Sequence, residues 1–301
     1  MASGDQLVNA WILLSEDDPA GVPYDNPQSA FQALIKNNVY SCVDILFLCF
    51  VTTVATGSDT VPTGDGSSFT VQIQPALNPP HPGGLTNQQY MNWVLRDAKN
   101  NNPDIKFMVT LDWGTKTVLQ NIFSNKNHTD QQNADNFADN LMAYLKGYGL
   151  DGFDMDWESP AYCALAPEQF AMLLKAIRAR FDQETGKHYL LTLSPDATFN
   201  LDAATVNSCV DFLNLQLYAD NLLQQEFIDF NVQADLLAYG AKFEADGPND
   251  PIGHQSAQDA YEGYVAGGYK VITQWRLNSG NFPFEQENQK QLYSLIFPKT
   301  E

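Results

Sequence analysis

The chain has 301 residues, 44% of them hydrophobic, with 16 Lys and Arg against 36 Asp and Glu, a formal charge of −20. That length buries a large core, in one α/β barrel or in two smaller domains, and the ordinary apolar content excludes a disordered chain. So acidic a surface repels phosphate backbones and argues against nucleic-acid partners, whereas a neutral polysaccharide meets no such barrier.

No apolar run reaches the roughly 18 residues of a membrane span, so no membrane partner is expected. No basic segment leads into an apolar stretch at the N-terminus, so no signal peptide is read. The chain fits a cytosolic protein or a mature secreted one, with the extracellular location favoured. Cys42, Cys49, Cys163 and Cys209 have neither dense nor metal-like spacing. Cys42 and Cys49 fit two buried thiols as well as a bridge. Asn127-His128-Thr129 is a glycosylation sequon, a triplet that is frequent by chance.

In chain order, residues 7–14, 43–52, 106–113 and 152–158 are short apolar runs rich in β-branched and aromatic residues, as strands require. Residues 189–194, 212–218, 237–245 and 269–275 continue the series. Helical spacing fills the gaps: Phe137, Leu141, Tyr144, Leu145 and Tyr148 share one stripe, and Phe170, Leu173, Leu174, Ile177 and Phe181 another. Thr86 and Gln89 make a capping box, Pro167 suits a first helical turn, and Ser256 and Glu285 lie near the starts of the last two helices. Gly147 with Gly149, and Gly267-Gly268, stop helices. Weaker helices follow Asn26, Leu201 and Asn221, and 115–123 is ambiguous between helix and loop.

Eight strand–helix units with no linker between them predict one (β/α)8 TIM barrel over residues 1–301; an open doubly wound sheet gives a similar string. One long interruption, about 53–85, follows the second strand, which puts it on the C-terminal face where barrel active sites form. It is expected to be a cleft wall or a disordered insertion, with 69–73 as a hairpin arm.

The fourth predicted strand carries the chemistry. In Asp151-Gly152-Phe153-Asp154-Met155-Asp156-Trp157-Glu158, alternation sends Asp154, Asp156 and Glu158 to one face and Phe153, Met155 and Trp157 to the other. The apolar set packs under helices and the acidic set lines the barrel, because the reverse would bury unpaired charges. Asp151 has the opposite parity and serves the turn into the strand. Same-face neighbours lie about 6.6 Å apart at Cα. Their charges repel by roughly 2.5 kcal/mol, about two pKa units, so the cluster holds at least one proton near neutral pH. Glu158, last on the strand, stands at the mouth. The same carboxylates taken alone also suit a magnesium or calcium site or a solvated loop; Met155 and Trp157 oppose the loop, and no metal is expected.

This run resembles the family 18 glycoside hydrolase signature, Asp-Gly-x-Asp-x-Asp-x-Glu, at every specified position, and Asp156-Trp157-Glu158-Ser159-Pro160 resembles the chitinases in particular. The resemblance implies a catalytic acid at Glu158, an orienting aspartate at Asp156 tuned by Asp154, and a retaining route through an oxazolinium formed by the substrate's acetamido group, with no cofactor. Gln216 and Tyr218, on one face of the sixth strand, are similar to the family's acetamido-binding pair, and Trp275 to its sugar-floor tryptophan. The third strand departs from the family's Ser-x-Gly-Gly: Asp112 adds a fourth carboxylate or a helix cap, and Trp113 a sugar platform or core. Ala219 before Asp220 departs from Met-x-Tyr-Asp, and too little chain separates the seventh and eighth strands for a groove-deepening insertion. The resemblance implies an endo-acting chitinase acting on chitin or chitooligosaccharides. An endo-β-N-acetylglucosaminidase acting on N-glycans and a non-catalytic chitinase-like lectin are the alternatives.

Overall fold

The computed structural model describes residues 6–16, 18, 20–56, 68–74, 81–114, 116–159, 161, 164–218, 222–243 and 255–298. The strands are β1 (Leu7–Leu13), β2 (Ile45–Ala55), β3 (Phe69–Ile73), β4 (Lys106–Leu111), β5 (Gly152–Trp157), β6 (Leu190–Pro195), β7 (Phe212–Leu215), β8 (Leu237–Lys242) and β9 (Val271–Trp275). The helices are α1 (Ala30–Lys36), α2 (Asn87–Asn101), α3 (Lys116–Ile122), α4 (Asp130–Tyr148), α5 (Pro167–Asp182), α6 (Ala203–Cys209), α7 (Leu223–Asp229), α8 (Ala257–Ala266) and α9 (Phe282–Ile296). Eight strands run parallel in the order β1-β9-β8-β7-β6-β5-β4-β2, and β2 pairs back to β1. The sheet is therefore a closed (β/α)8 barrel, not an open doubly wound sheet.

Alternation builds two cores. Residues facing the helices, such as Phe153, Met155 and Trp157 of β5, join the large outer core with Phe137 of α4 and Phe170 of α5. Residues facing inward fill the barrel: Trp11, Leu13, Ile45, Phe47, Cys49, Met108, Leu190, Phe212, Ala238 and Val271. A polar layer runs through this apolar plug. Asn9 reaches Thr273 (3.4 Å), Thr273 donates to Asn214 (2.6 Å), and Asn214 donates to the Ser194 hydroxyl (3.3 Å), which reaches Asp154. Buried polar groups that answer one another in this way avoid the cost of lone desolvation.

The local signals behave as the chemistry requires. Thr86 and Gln89 close a capping box on α2, and Pro167 opens α5. The weaker helices form as α1, α6 and α7, and the ambiguous 115–123 stretch holds α3. Gly147 does not end α4, which runs through it to Tyr148; Gly149 ends it, with φ 68° and its N–H on the Leu145 and Lys146 carbonyls. Tyr148 is partly exposed at the end of the helix, its ring tilted on that of Tyr144 at 4.8 Å. No disulfide joins Cys42 to Cys49, and Cys209 is bridged to neither; Cys163 lies outside the described residues. Asp44, Asp151 and Asp211 each precede a strand and accept the amide of the second residue of a neighbouring one: Val8 (2.7 Å), Phe107 (2.8 Å) and Leu191 (2.8 Å). Asp151 thus serves the strand entry, and Lys187 pairs with it at 2.8 Å.

Segment 69–73 is a strand, β3, antiparallel to the extended end of β2. Phe69, Val71 and Ile73 turn into the outer core, and Asn140 of α4 donates to the Phe69 carbonyl at 2.9 Å. The described part of the insertion thus packs outward on α4 rather than walling the cleft; residues 57–67 and 75–80 lie outside the described residues. Gln74, just past β3, donates to Asp112 at 2.6 Å.

Candidate active site

β5 delivers its carboxylates in tiers. Asp154 is fully buried and accepts from Thr192 (2.6 Å) and from Ser194 (3.1 and 3.0 Å) on β6. Desolvation outweighs these bonds and lifts its pKa to about 6. Asp156, one pleat higher, is raised well above the carboxylate range, first by burial and then by the charges of Glu158 and Asp154. Glu158 follows the last residue of β5 and is half-buried at the rim. Gln216 bridges the pair, its amide donating to Glu158 at 2.5 Å and to Asp156 at 3.3 Å, while also reaching the Ser194 carbonyl at 3.2 Å. Burial and the neighbouring carboxylates all oppose ionisation of Asp156, so the cluster favours holding a proton.

These groups open into one cavity of about 210 Å³, lined by Trp11, Phe50, Trp113, Asp156, Glu158, Ser194, Gln216, Tyr218 and Trp275. Trp275 ends β9 and packs edge-on against Trp11 (5.8 Å) and tilted to Phe50 (6.3 Å), so one side of the cavity is aromatic and the other acidic. Polar convergence against an apolar wall is how small-molecule sites are built. The strand expected over 212–218 stops at Leu215, yet Gln216 and Tyr218 still face the cavity while Leu217 is buried between them. Lys242 stands over the Tyr218 ring at 5.6 Å. Ala219 and Asp220 lie outside the described residues.

The third-strand departures divide. Trp113 lines the cavity and is 37% exposed. Asp112 is not in the lining; it accepts from Gln74 and from the amide of Gly114 (3.0 Å), which makes it a turn-former, although its charge adds to those raising Asp156. Sequence reasoning missed Trp11, Phe50, Ser194 and Asp196. Trp11 and Ser194 share parity with inward neighbours, so alternation along their strands would have found them. Phe50 was hidden: the β2–β4 register shifts between Cys49 and Val51, which turns Phe50 to a face its parity denies it.

The profile of glycosyl hydrolases family 18 matches residues 29–270. Among curated relatives, chitinase 1 of Aphanocladium album is 28% identical over 44% of this chain and 31% of its own length. Chitinase A1 of Niallia circulans is 30% identical over 42% of this chain and 20% of its own length, so the matched part spans less than a third of either relative. The fold is shared with a family 18 chitinase from Cycas revoluta solved with (GlcNAc)4, at TM-score 0.66 and 12% identity over 96% of this chain and 99% of that one. A class V chitinase from Nicotiana tobaccum solved with NAG4 gives TM-score 0.66 at 14% identity over the same shares. A match over most of the chain, together with an unbroken Asp151–Glu158 signature on the fourth barrel strand, places this protein in glycosyl hydrolases family 18.

Proposed function

We propose that this protein is an endo-acting glycoside hydrolase that cleaves β-1,4 bonds between N-acetylglucosamine units with retained configuration, using the substrate's own acetamido group as nucleophile. Residues 1–301 act as one catalytic domain, and chitin or chitooligosaccharides are its substrates. The observation that carries this reading is the convergence of Asp156, Glu158, Gln216 and Tyr218 on one cavity beside Trp275.

The apolar face of the sugar rests on Trp275, as pyranose C–H groups favour an aromatic surface. Asp156 and Glu158 hold a proton in common. When the acetamido N–H meets Asp156, the anion is favoured there and the proton passes to Glu158. Glu158 then protonates the glycosidic oxygen as the C1–O bond breaks, and the acetamido carbonyl oxygen bonds to C1 to give the oxazolinium. Tyr218 donates its hydroxyl to that oxygen, and ionised Asp156 offsets the positive charge. Water then yields a proton to Glu158 while its oxygen attacks C1 and the bond from C1 to the acetamido oxygen breaks, which regenerates the acetamide and restores the original configuration. Asp154 stays buried and tunes Asp156, its charge raising the proton affinity of its neighbour. Trp113 extends the aromatic surface at the rim.

The test is to incubate the protein and its Glu158→Gln variant with chitooligosaccharides and with an N-glycosylated protein, following the product anomer by NMR. The expected result is β-anomeric product from the oligosaccharides and none from the variant. Activity on neither substrate overturns the reading. Activity on the glycoprotein alone transfers it to an endo-β-N-acetylglucosaminidase, and α-anomer appearing first overturns retention.

A further inference from the structure

The mouth holds a second carboxylate that the steps above leave unused. β5 and β6 run side by side with Asp156 opposite Ser194 and Trp157 opposite Pro195. One residue further, the Asp196 amide donates to the Trp157 carbonyl at 3.2 Å, so Asp196 comes level with Glu158 on the adjoining strand end. Alternation gives it the inward parity of Thr192 and Ser194. Its Oδ1 is buried without a hydrogen-bond partner, an arrangement that a stable protein keeps only for a reason.

The surroundings are anionic. Asp154 and Asp156 rise from β5, Asp112 follows β4, and Glu226 of α7 stands behind Asp196, accepting from the Thr198 amide (3.2 Å) and hydroxyl (2.7 Å). Gln216 and Tyr218 face Glu158 from beyond β7. The cations at the rim are engaged elsewhere: Lys242 over the Tyr218 ring, and Arg276 with Glu16 at 2.5 Å. Asp196 does not line the cavity, so it cannot touch a sugar there and must act through its neighbour.

We propose that Asp196 is a positioning residue whose charge, one strand away, keeps Glu158 protonated and so holds the acid in its working form toward neutral pH. This rests on Glu158 being the acid of the proposed reaction. Burial, Glu158 and Glu226 lift Asp196 itself to about 6. Its charge therefore appears as pH rises through that value, and from there it opposes proton loss from Glu158. Like charges on adjoining strand ends raise one another's affinity for protons.

The experiment is the pH profile of kcat/KM on a chitooligosaccharide for the wild type, Asp196→Asn and Asp196→Glu, with carboxylate 13C NMR titration of Glu158 in each. The alkaline limb and the Glu158 titration are expected to move down by about one pH unit in Asp196→Asn and to return in Asp196→Glu. A merely structural residue would lower the rate at every pH and leave the limb in place, and that result overturns the proposal. Should Asp196→Asn fail to fold, the coupling is read in reverse: Glu158→Gln must lower the titration of the native Asp196, and an unmoved titration overturns the proposal. If the wild type cleaves no sugar, the proposed function falls, while the titrations still decide whether Asp196 and Glu158 are coupled.

Discussion

At Asp154, burial and hydrogen bonding pull in opposite directions and burial wins. Its folded pKa of about 6 exceeds the unfolded value near 3.8, so the folded state binds the extra proton between those values. Stability from this group is present at about pH 4 and is lost as pH rises toward 6, by roughly 3 kcal/mol in all. Asp156, also raised by burial, contributes a loss of the same sign as pH rises. Asp154→Asn is therefore expected to flatten the dependence, which urea unfolding at pH 4.5 and 7.5 measures; an unchanged slope would contradict the burial argument. At the rim, Glu158→Gln should cost about 10²–10⁴-fold in kcat while leaving the melting temperature near that of the wild type. Tyr218→Phe should cost about 10²-fold, because it removes one donor to the developing oxazolinium and leaves the acid in place. A loss confined to KM would show that Tyr218 binds substrate and transition state alike.

Elements differ in what their glycines do. Gly147 lies exposed inside α4, and an added Cβ there meets nothing within 4 Å, so Gly147→Ala should stabilise by about 0.5–1 kcal/mol. Two residues on, Gly149 sits at φ +68°, where a side chain is strained, and Gly149→Ala should destabilise by about 1 kcal/mol. At Gly152 an added Cβ would press on the Leu190 carbonyl of β6, prising apart the strands that carry the acid cluster. Gly152→Ala should lower both melting temperature and activity, whereas the two helix variants should alter the former alone. Thermal melts and one activity assay separate the three. The capping boxes of α2 and α4 belong to this scale too: each side chain answers an orphan amide, so the sequence signal and the structural outcome are the same interaction.

For the whole molecule the formal charge of −20 is the governing number. Like charges spread over one barrel repel, and the repulsion is screened within about 10 Å at 0.1 M salt. Raising NaCl from 10 to about 300 mM should therefore raise the melting temperature by a few degrees; a fall would mean that ion pairs such as Arg180–Glu184 outweigh the net repulsion. Closure of the barrel is a property of the whole as well. β1 joins both β9 and β2, so every barrel strand has two neighbours, and among the described residues only β3 leaves an edge.

What the sequence by itself determined was whatever depends on short spacings. The eight strands, the caps, and the inward set Asp154, Asp156 and Glu158 follow from periods of 2 and 3.6, which act between residues a few positions apart. The tiered depth of those carboxylates was legible for the same reason. The tertiary structure decided whatever depends on residues far apart in the chain. The barrel closes because β1 meets β9 across more than 250 residues, and no local pattern carries that pairing. Asp156 is pushed up by burial and by the charges of Glu158, Asp154 and Asp112, and its burial depends on strands brought together only by the closed barrel. Phe50 enters the cavity only through a register shift against β4, and Asp196 reaches Glu158 only because β6 lies beside β5. Asp112 turned away to Gln74 for the same kind of reason: its partner comes from an arm whose packing on α4 periodicity does not reveal.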